Sequence, residues 1–393
     1  MKEIATRTFL MLHKIIEQHQ PQNDSLLGGR LGLALYYQAL YDSFDKPAHA
    51  EKATALLEEV FSNLTKNSMQ LSGNAFGGGG AGLGYVAAQF YTAGFIEASL
   101  HDDLESLDDY LYKTSLEQII QQDKIDFLHG ATGTIHYFVK RMPDKKAERY
   151  LVNLITALCN KAVREEKGIW FKNLETERKE NSGINLSLSH GLCGFLLILI
   201  NAYHAGIKLD CIKEKISRGI AFILSYQQDI DIPKKKWSFF PNTINAADLS
   251  DLFLSQRLAW CYGDFGPILL LYKAAAIIDM PEWIDKANLF GTFTIMRRDA
   301  EATVTTQTLF CHGTAGMAQV YDTFYKLSGI DRYKTAQEYW IGQTTEMIPG
   351  ELEKAIYYGK ECDLLEGLVG VNLALLSYIS EKPLTWSQAF LLE

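Results

Sequence analysis

Residues 191–200 read Gly-Leu-Cys-Gly-Phe-Leu-Leu-Ile-Leu-Ile, in which two glycines three positions apart open a strongly apolar run. Leucine-rich runs of this kind favour helix, and a helix that is apolar on most faces is buried on all sides. The same arrangement occurs seven times along the 393 residues. The glycine pairs are Gly29/Gly32, Gly79/Gly82, Gly130/Gly133, Gly191/Gly194, Gly263/Gly266, Gly313/Gly316 and Gly367/Gly370. A single Gly-x-x-Gly means little, but seven spread over the whole chain indicate an internal repeat.

Charged stretches with helical spacing separate these apolar runs, for example residues 50–64 and 331–347. Each repeat of roughly 50 residues therefore predicts one buried inner helix and one amphipathic outer helix. Such helix pairs must stack to bury their apolar faces, and an open array would need polar end repeats. The first and last repeats are as apolar as the others. We therefore predict an all-α, single-domain α/α toroid (barrel) over residues 1–393, with seven inner and seven outer helices.

Composition excludes several classes of protein. The chain has 38 Lys+Arg against 47 Asp+Glu, and this net charge of -9 argues against a general nucleic-acid binder. The best membrane-span candidate is residues 181–207, but its apolar centre is much shorter than the ~20 residues that a bilayer requires. We expect it to contain a buried core helix. Because no apolar signal region follows the start of the chain, we expect a cytoplasmic protein with no membrane insertion and with reduced cysteines.

Reactive side chains collect just before the first glycine of several repeats. If the inner helices form a ring, corresponding positions meet at one end of it, so we expect these side chains to lie near one another. They are His129, His190, Cys261, Cys311 and His312.

Cys261, Cys311 and His312 form a Cys₂His set of potential metal ligands. Zinc prefers thiolate and imidazole, and structural zinc sites are usually closed by four protein ligands. Three ligands leave a fourth position open, so the set favours a catalytic Zn²⁺ site. The alternative is that these residues are buried thiols and a core histidine that only pack.

Three short strings carry a family resemblance: Trp260-Cys261-Tyr262-Gly263, Cys311-His312-Gly313 and Ser189-His190-Gly191. Together with the seven repeats they resemble the lanthionine synthetase C-like family, the lantibiotic cyclases, over essentially the whole chain. The resemblance implies a seven-fold toroid with a catalytic zinc. It also implies an enzyme that adds cysteine thiols to dehydroalanine or dehydrobutyrine in a ribosomally made precursor peptide, which closes lanthionine or methyllanthionine thioether rings.

The resemblance also implies roles for individual residues. His190 would donate or accept the proton at the α-carbon, and Asp126 would orient it or tune its charge. Arg257 and Tyr262 would support the site and stabilise the enolate oxygen. Zinc would hold the substrate thiol as a thiolate, which a free cysteine largely is not at neutral pH.

Four features remain open. His129 is either a second acid/base group or a core imidazole, and the core position is favoured. Asp363 occupies the position of Asp126 in the seventh repeat, where helix N-capping is the preferred interpretation. Two irregular segments, residues 170–185 and 234–241, are expected to overhang the site and hold peptide.

Partners and alternatives follow from the same reasoning. The chain has no room for a fused dehydratase, so a separate dehydratase should supply the dehydrated precursor peptide, and an exporter is a further expected partner.

One alternative enzyme would add glutathione or another small thiol to dehydroamino acids. Another alternative is a non-catalytic, zinc-stabilised peptide-binding module. An α/α-barrel glycosidase that pairs Asp126 with Asp363 or Glu366 is also conceivable, but it leaves the Cys₂His set unexplained.

Overall fold

The computed structural model of the chain describes residues 1–66, 71–96, 103–174 and 183–393, and this part is mostly helical with small sheets. Its helices, in chain order, are α1 (Lys2–Glu17), α2 (Arg30–Phe44), α3 (Pro47–Thr65), α4 (Gly80–Thr92), α5 (Glu105–Glu117), α6 (Ala131–Lys140), α7 (Lys145–Asn160), α8 (Leu192–His204), α9 (Asp210–Leu224), α10 (Phe265–Ile278), α11 (Glu282–Thr294), α12 (Ala300–Thr303), α13 (Thr314–Ser328), α14 (Asp331–Glu353) and α15 (Leu368–Ile379). A π-helical turn, Gln118–Gln122, extends α5, and Ile232–Lys234 and Trp386–Phe390 are 3₁₀ turns.

Helices begin at the glycine repeats, as the sequence predicts. In six of the seven repeats the first glycine is the residue that caps the N-terminus of an apolar helix, and in the fifth repeat Asp264 takes this position. Helix α8 is buried along nearly its whole length, which confirms the core helix expected within residues 181–207. By contrast, α7 buries one face only, as an amphipathic outer helix does.

The second glycine of a repeat allows the first turn of the helix to pack tightly on the loop before it. A Cβ added to Gly194 would lie 2.1 Å from the carbonyl oxygen of Leu188, six residues earlier. Gly316 shows the same relation, with 1.8 Å to the carbonyl oxygen of Phe310. No side chain fits at such distances, so the repeat requires glycine here for steric reasons.

The chain divides into two compact units. The first comprises Met1–Gly73, Gly77–Leu100 and Thr306–Glu393, and the second comprises Asn74–Phe76 and His101–Thr305. The expectation of a single domain stays a prediction.

In the first unit, helices α2 and α3 pack together, as do α13 and α14, and α15 packs against both α1 and α2. The turns that precede the inner helices are hydrogen-bonded to one another. Leu364 and Leu365 donate their amides to the Leu27 carbonyl at 2.8 and 3.0 Å, and Cys311 donates to the Leu365 carbonyl at 3.0 Å. The turns of the sixth, seventh and first repeats are therefore consecutive neighbours.

In the second unit, α8 packs between α6 and α10, and the outer helices α7, α9 and α11 cover α6, α8 and α10 in turn. Its turns follow the same pattern, because Leu188 donates its amide to the Cys261 carbonyl at 3.2 Å. The unit also contains an antiparallel hairpin of β1 (Ala162–Glu165) and β2 (Gly168–Phe171). A second antiparallel sheet has the order β3 (Gly183–Asn185), β4 (Thr243–Asn245), β5 (Leu252–Phe253).

These strands correct the all-α prediction in part. They have two to four residues each, which is too short for an alternating pattern to stand out in the sequence. Strand β2 leads into Asn173 and β3 ends at Asn185, so both help to build the candidate site. Within the described ranges, no helix is both long enough and apolar enough to cross a membrane.

Candidate active site

The Asp126 carboxylate and the His190 imidazole form a hydrogen-bonded pair in the second unit. Asp126 lies in the turn before α6 and is fully buried, and His190 lies in the turn before α8. His190 Nδ1 is 2.9 Å from Asp126 Oδ2. Since the carboxylate accepts, the hydrogen on Nδ1 points at Asp126, and Nε2 is the nitrogen left to exchange a proton with a substrate.

Backbone and side-chain donors hold Asp126 in place. Its Oδ1 accepts the amides of Leu128 and His129, both at 2.9 Å. Its Oδ2 also accepts Asn173 Nδ2 at 3.2 Å, and the same nitrogen donates to the His190 carbonyl at 3.1 Å. Sequence reasoning missed Asn173, because an asparagine in an irregular segment carries no distinguishing signal before the fold is known.

The two pKa shifts in this pair favour an ion pair. Burial disfavours the imidazolium, but the hydrogen bond and charge of Asp126, together with the charge of Cys261, raise the pKa of His190. Burial also disfavours the carboxylate, yet the hydrogen bond from His190 and the charges of His190 and His129 hold the pKa of Asp126 below its usual value. His190 is therefore suited to act as an acid at a pH where free imidazole is already neutral.

Tyr262 lies beside His190, with 6.3 Å between the ring centroids. Its hydroxyl accepts Asn185 Nδ2 at 3.0 Å. Burial and the charges of Cys261 and Asp126 raise the pKa of Tyr262, and hydrogen bonds from Asn185 and Ser187 oppose this shift. Tyr262 thus stays a neutral phenol with a proton to donate. Asn185, which positions this hydroxyl, is a second residue that the sequence did not reveal.

Cys261 is buried in the loop before α10, and its backbone ties it to the turn that carries His190. Besides the Leu188 amide, the Ser189 hydroxyl donates to the Cys261 carbonyl at 3.3 Å. The loop needs Gly263, which has a φ of +99° and where a Cβ would lie 2.0 Å from the Arg257 carbonyl oxygen.

Arg257 is half-buried in the same loop. Among the described residues, no hydrogen bond or ion pair joins its guanidinium to Asp126, His190 or Tyr262. Its role in supporting the enolate stays a prediction.

Cys311 and His312 lie in the first unit, in the turn before α13. The Cys311 sulfur and a ring nitrogen of His312 are within 4.8 Å of each other. Two such donors on one tetrahedral zinc ion would be about 3.6 Å apart, given the usual Zn–S and Zn–N bond lengths. Neighbouring side chains diverge inside a helix, but in this turn their donor atoms converge, which fits a shared metal ion.

His129 is exposed, so the favoured interpretation of a core imidazole is wrong. Its ring stacks on His190 with 5.6 Å between centroids and 14° between planes. One of its ring nitrogens lies within 4.8 Å of a ring nitrogen of His190 and of an Asp126 oxygen. His129 is therefore part of the site, on its solvent side.

Among the described residues no backbone amide donates to the Asp363 carboxylate, and Gly367 is the N-cap residue of α15, so the preferred interpretation of helix N-capping is wrong. The carboxylate packs against Gly28, where an added Cβ would lie 3.1 Å from Oδ1. Burial, opposed by Lys360 and aided by Glu366 and Glu361, raises the pKa of Asp363 to about 6.

A cavity of about 410 Å³ opens beside His190, between β2, β3 and the start of α8. Its lining includes Trp170, Lys172, Asn173 and Asn185. The described part of the irregular segment 170–185 therefore borders the site as expected, while residues 175–182 lie outside the described residues.

The other segment, 234–241, behaves differently from the expectation. Phe239 and Phe240 are buried, and their rings pack on Phe290 at 4.6 and 5.4 Å between centroids. These two aromatic side chains belong to the core of the second unit. Lys234, Lys235 and Lys236 are exposed.

Comparison with known proteins adds an independent observation. The family profile described as "Lanthionine synthetase C-like protein" matches residues 20–391. The chain belongs to the lanthionine synthetase C-like family. A solved structure of "Nisin cyclase" is similar to this family member, with a TM-score of 0.76 at 22% sequence identity. The match covers 97% of this chain and 96% of that one, and it shows a shared fold. The comparison with curated protein sequences found no significant match.

Proposed function

We propose that the protein is a lanthipeptide cyclase that adds cysteine thiols to dehydroalanine or dehydrobutyrine within a precursor peptide. The Asp126–His190 pair carries the proposal, because thiol addition to an alkene conjugated with a carbonyl needs an acid at the α-carbon. Family membership and the fold shared with a nisin cyclase support the same reaction.

We propose Cys261, Cys311 and His312 as the ligands of a catalytic Zn²⁺. Two thiolates and one imidazole are a donor set that zinc prefers, and the closeness of the Cys311 and His312 donor atoms supports a common ion. When bound there, zinc would take the substrate cysteine as a fourth ligand and hold it as a thiolate at neutral pH.

The protein's own side chains would stabilise the enolate and supply the proton. As the sulfur bonds to the β-carbon, electron density moves to the carbonyl oxygen and forms an enolate. The Tyr262 hydroxyl would donate a hydrogen bond to that oxygen, and Arg257 would add positive charge. His190 Nε2 would then deliver a proton to the α-carbon, while Asp126 stabilises the imidazolium before the transfer. The cavity beside His190 would accept the flanking peptide residue.

The proposed context has two parts. A separate dehydratase would supply the dehydrated peptide, and an exporter would remove the product. At the level of the fold, we propose that the seven repeats close into the toroid with seven inner and seven outer helices. The hydrogen bonds between the turns of the seventh and first repeats support closure.

The test is to incubate the protein and zinc with a peptide that contains one dehydroalanine and one cysteine a few residues apart. Cyclisation leaves the peptide mass unchanged and removes the alkylatable thiol, as mass spectrometry after iodoacetamide treatment will show. His190→Gln should leave the thiol alkylatable.

Including glutathione in the same reaction separates the main alternative. A mass increase equal to one glutathione, with the peptide thiol still alkylatable, would assign a small-thiol transferase instead. A peptide that binds but is never altered would assign a non-catalytic binding module.

A further inference from the structure

The exposed His129 ring covers the solvent side of the acid/base histidine. His190 keeps 23% of its side chain exposed, and His129 stacks on it nearly parallel. Among the described residues no hydrogen bond engages the His129 ring, and only its backbone amide is used, to anchor Asp126. The hydrogen bond from the His129 amide to Asp126 fixes the position of the His129 backbone. Both nitrogens of the His129 ring stay available for proton exchange.

The chemistry at His190 needs a proton supply. The substrate thiol loses its proton to solvent when it becomes a thiolate, and the sulfur–carbon bond then forms. The α-carbon takes a proton from His190, whose Nδ1 is held by Asp126. His190 is left neutral, so it must regain one proton from solvent at Nε2 before the next turnover. No electron is gained or lost in this cycle.

We propose that His129 relays protons between bulk solvent and His190; this inference rests on the proposed cyclase function. The two rings stack with 5.6 Å between their centroids, a separation that one water molecule can bridge between a His129 nitrogen and His190 Nε2. An imidazole can carry a proton on either ring nitrogen, so it can take a proton from solvent at one nitrogen and release one from the other.

A relay makes a prediction that a purely structural role does not. The His129→Gln variant keeps a side chain of similar size but cannot titrate. In dilute buffer its kcat should fall about tenfold, with KM for the peptide unchanged, since His129 transfers protons and does not bind peptide. Added imidazole should restore kcat in a saturable manner, whereas wild-type kcat should not respond to imidazole.

Two further variants make the result interpretable. His190→Gln should stay inactive at every imidazole concentration, because the acid itself is missing. His19→Gln, which changes an exposed histidine of the first unit, should behave as wild type. Circular dichroism melting of His129→Gln should match wild type, as expected for an exposed side chain.

The outcomes separate the two proposals. If wild type does not remove the peptide thiol, the cyclase function fails. If wild type is active but His129→Gln keeps full kcat in dilute buffer, or loses kcat without rescue by imidazole, the relay is wrong and the cyclase function stands. Equal rescue of His190→Gln would also overturn the relay, because imidazole would then replace the acid directly.

Discussion

Asp126 accepts four hydrogen bonds through one buried carboxylate, two from backbone amides and one each from Asn173 and His190. The backbone amides fix its position, and the remaining oxygen fixes the tautomer and charge of His190. One residue thus orients His190 and also widens the pH range in which His190 is protonated.

Replacing Asp126 with Asn should keep the size of the side chain but remove its negative charge. The pKa of His190 should then fall, because burial is no longer offset by a carboxylate. In the proposed mechanism His190 acts in its protonated form, so activity should be lost as pH rises through that pKa, and the basic limb of the pH–rate profile should move to lower pH. At neutral pH, kcat should drop by about 100-fold.

The matched control is Asp363→Asn, which alters the equivalent position of the seventh repeat. Its basic limb should coincide with that of wild type. A basic limb that does not move in Asp126→Asn would show that His190 is not the titrating acid.

At the residue scale, the sequence predicted the site side chains that lie next to a repeat glycine, such as His190 and Tyr262. It did not predict Asn173 and Asn185, because their contacts depend on short strands that bring distant segments together. It also placed His129 in the core, because a one-dimensional pattern does not show which side of a turn faces solvent.

The repeated element is a tight turn followed by a buried helix, and its second glycine is a steric requirement. At Gly194 an added Cβ would lie 2.1 Å from the Leu188 carbonyl oxygen, in the same turn that carries His190. Any side chain at this position must therefore push the helix away from the turn.

Gly194→Ala should lower the free energy of unfolding by about 1–3 kcal/mol, the usual cost of overpacking a rigid site. Gly350→Ala in α14 is the control, because nothing lies within 4 Å of its added Cβ and its φ is not positive. That change should be neutral or stabilise the protein by about 0.5–1 kcal/mol. Urea denaturation measures both values, and equal values for the two variants would contradict the steric explanation.

Helix positions were predictable at the element scale because apolar runs of helix-forming residues follow each glycine pair. The fifth repeat departs from the rule: its helix begins after Asp264, whose buried carboxylate accepts the amides of Phe239 and Phe240 and pairs with Arg297 at 2.8 Å. This interaction joins three distant segments, so no local pattern could have revealed it. It also explains why the two phenylalanines are buried and do not border the cavity.

For the whole molecule, the repeat supplies seven glycine-led turns that carry chemically different side chains, and in the second unit two of these turns bring Asp126 and His190 together. The repeat could be identified from the sequence. The division into two compact units could not be predicted, because the glycine pairs occur in both units.

The proposed zinc site makes a prediction at this scale. Purified protein should contain about one zinc per chain, and Cys311→Ala should lose it. Cys159→Ala, which changes a buried thiol outside the proposed ligand set, should retain zinc. Atomic absorption measures the metal content, and full zinc occupancy in Cys311→Ala would refute the assignment of this ligand.

The most direct test of thiol addition with protonation at the α-carbon is to run the reaction in heavy water. After back-exchange into ordinary water, mass spectrometry should find one deuterium fixed at an α-carbon for each peptide thiol lost. The His190→Gln variant should form no such product. Thiol loss without a fixed deuterium, as in oxidation to a disulfide, would contradict the proposed reaction.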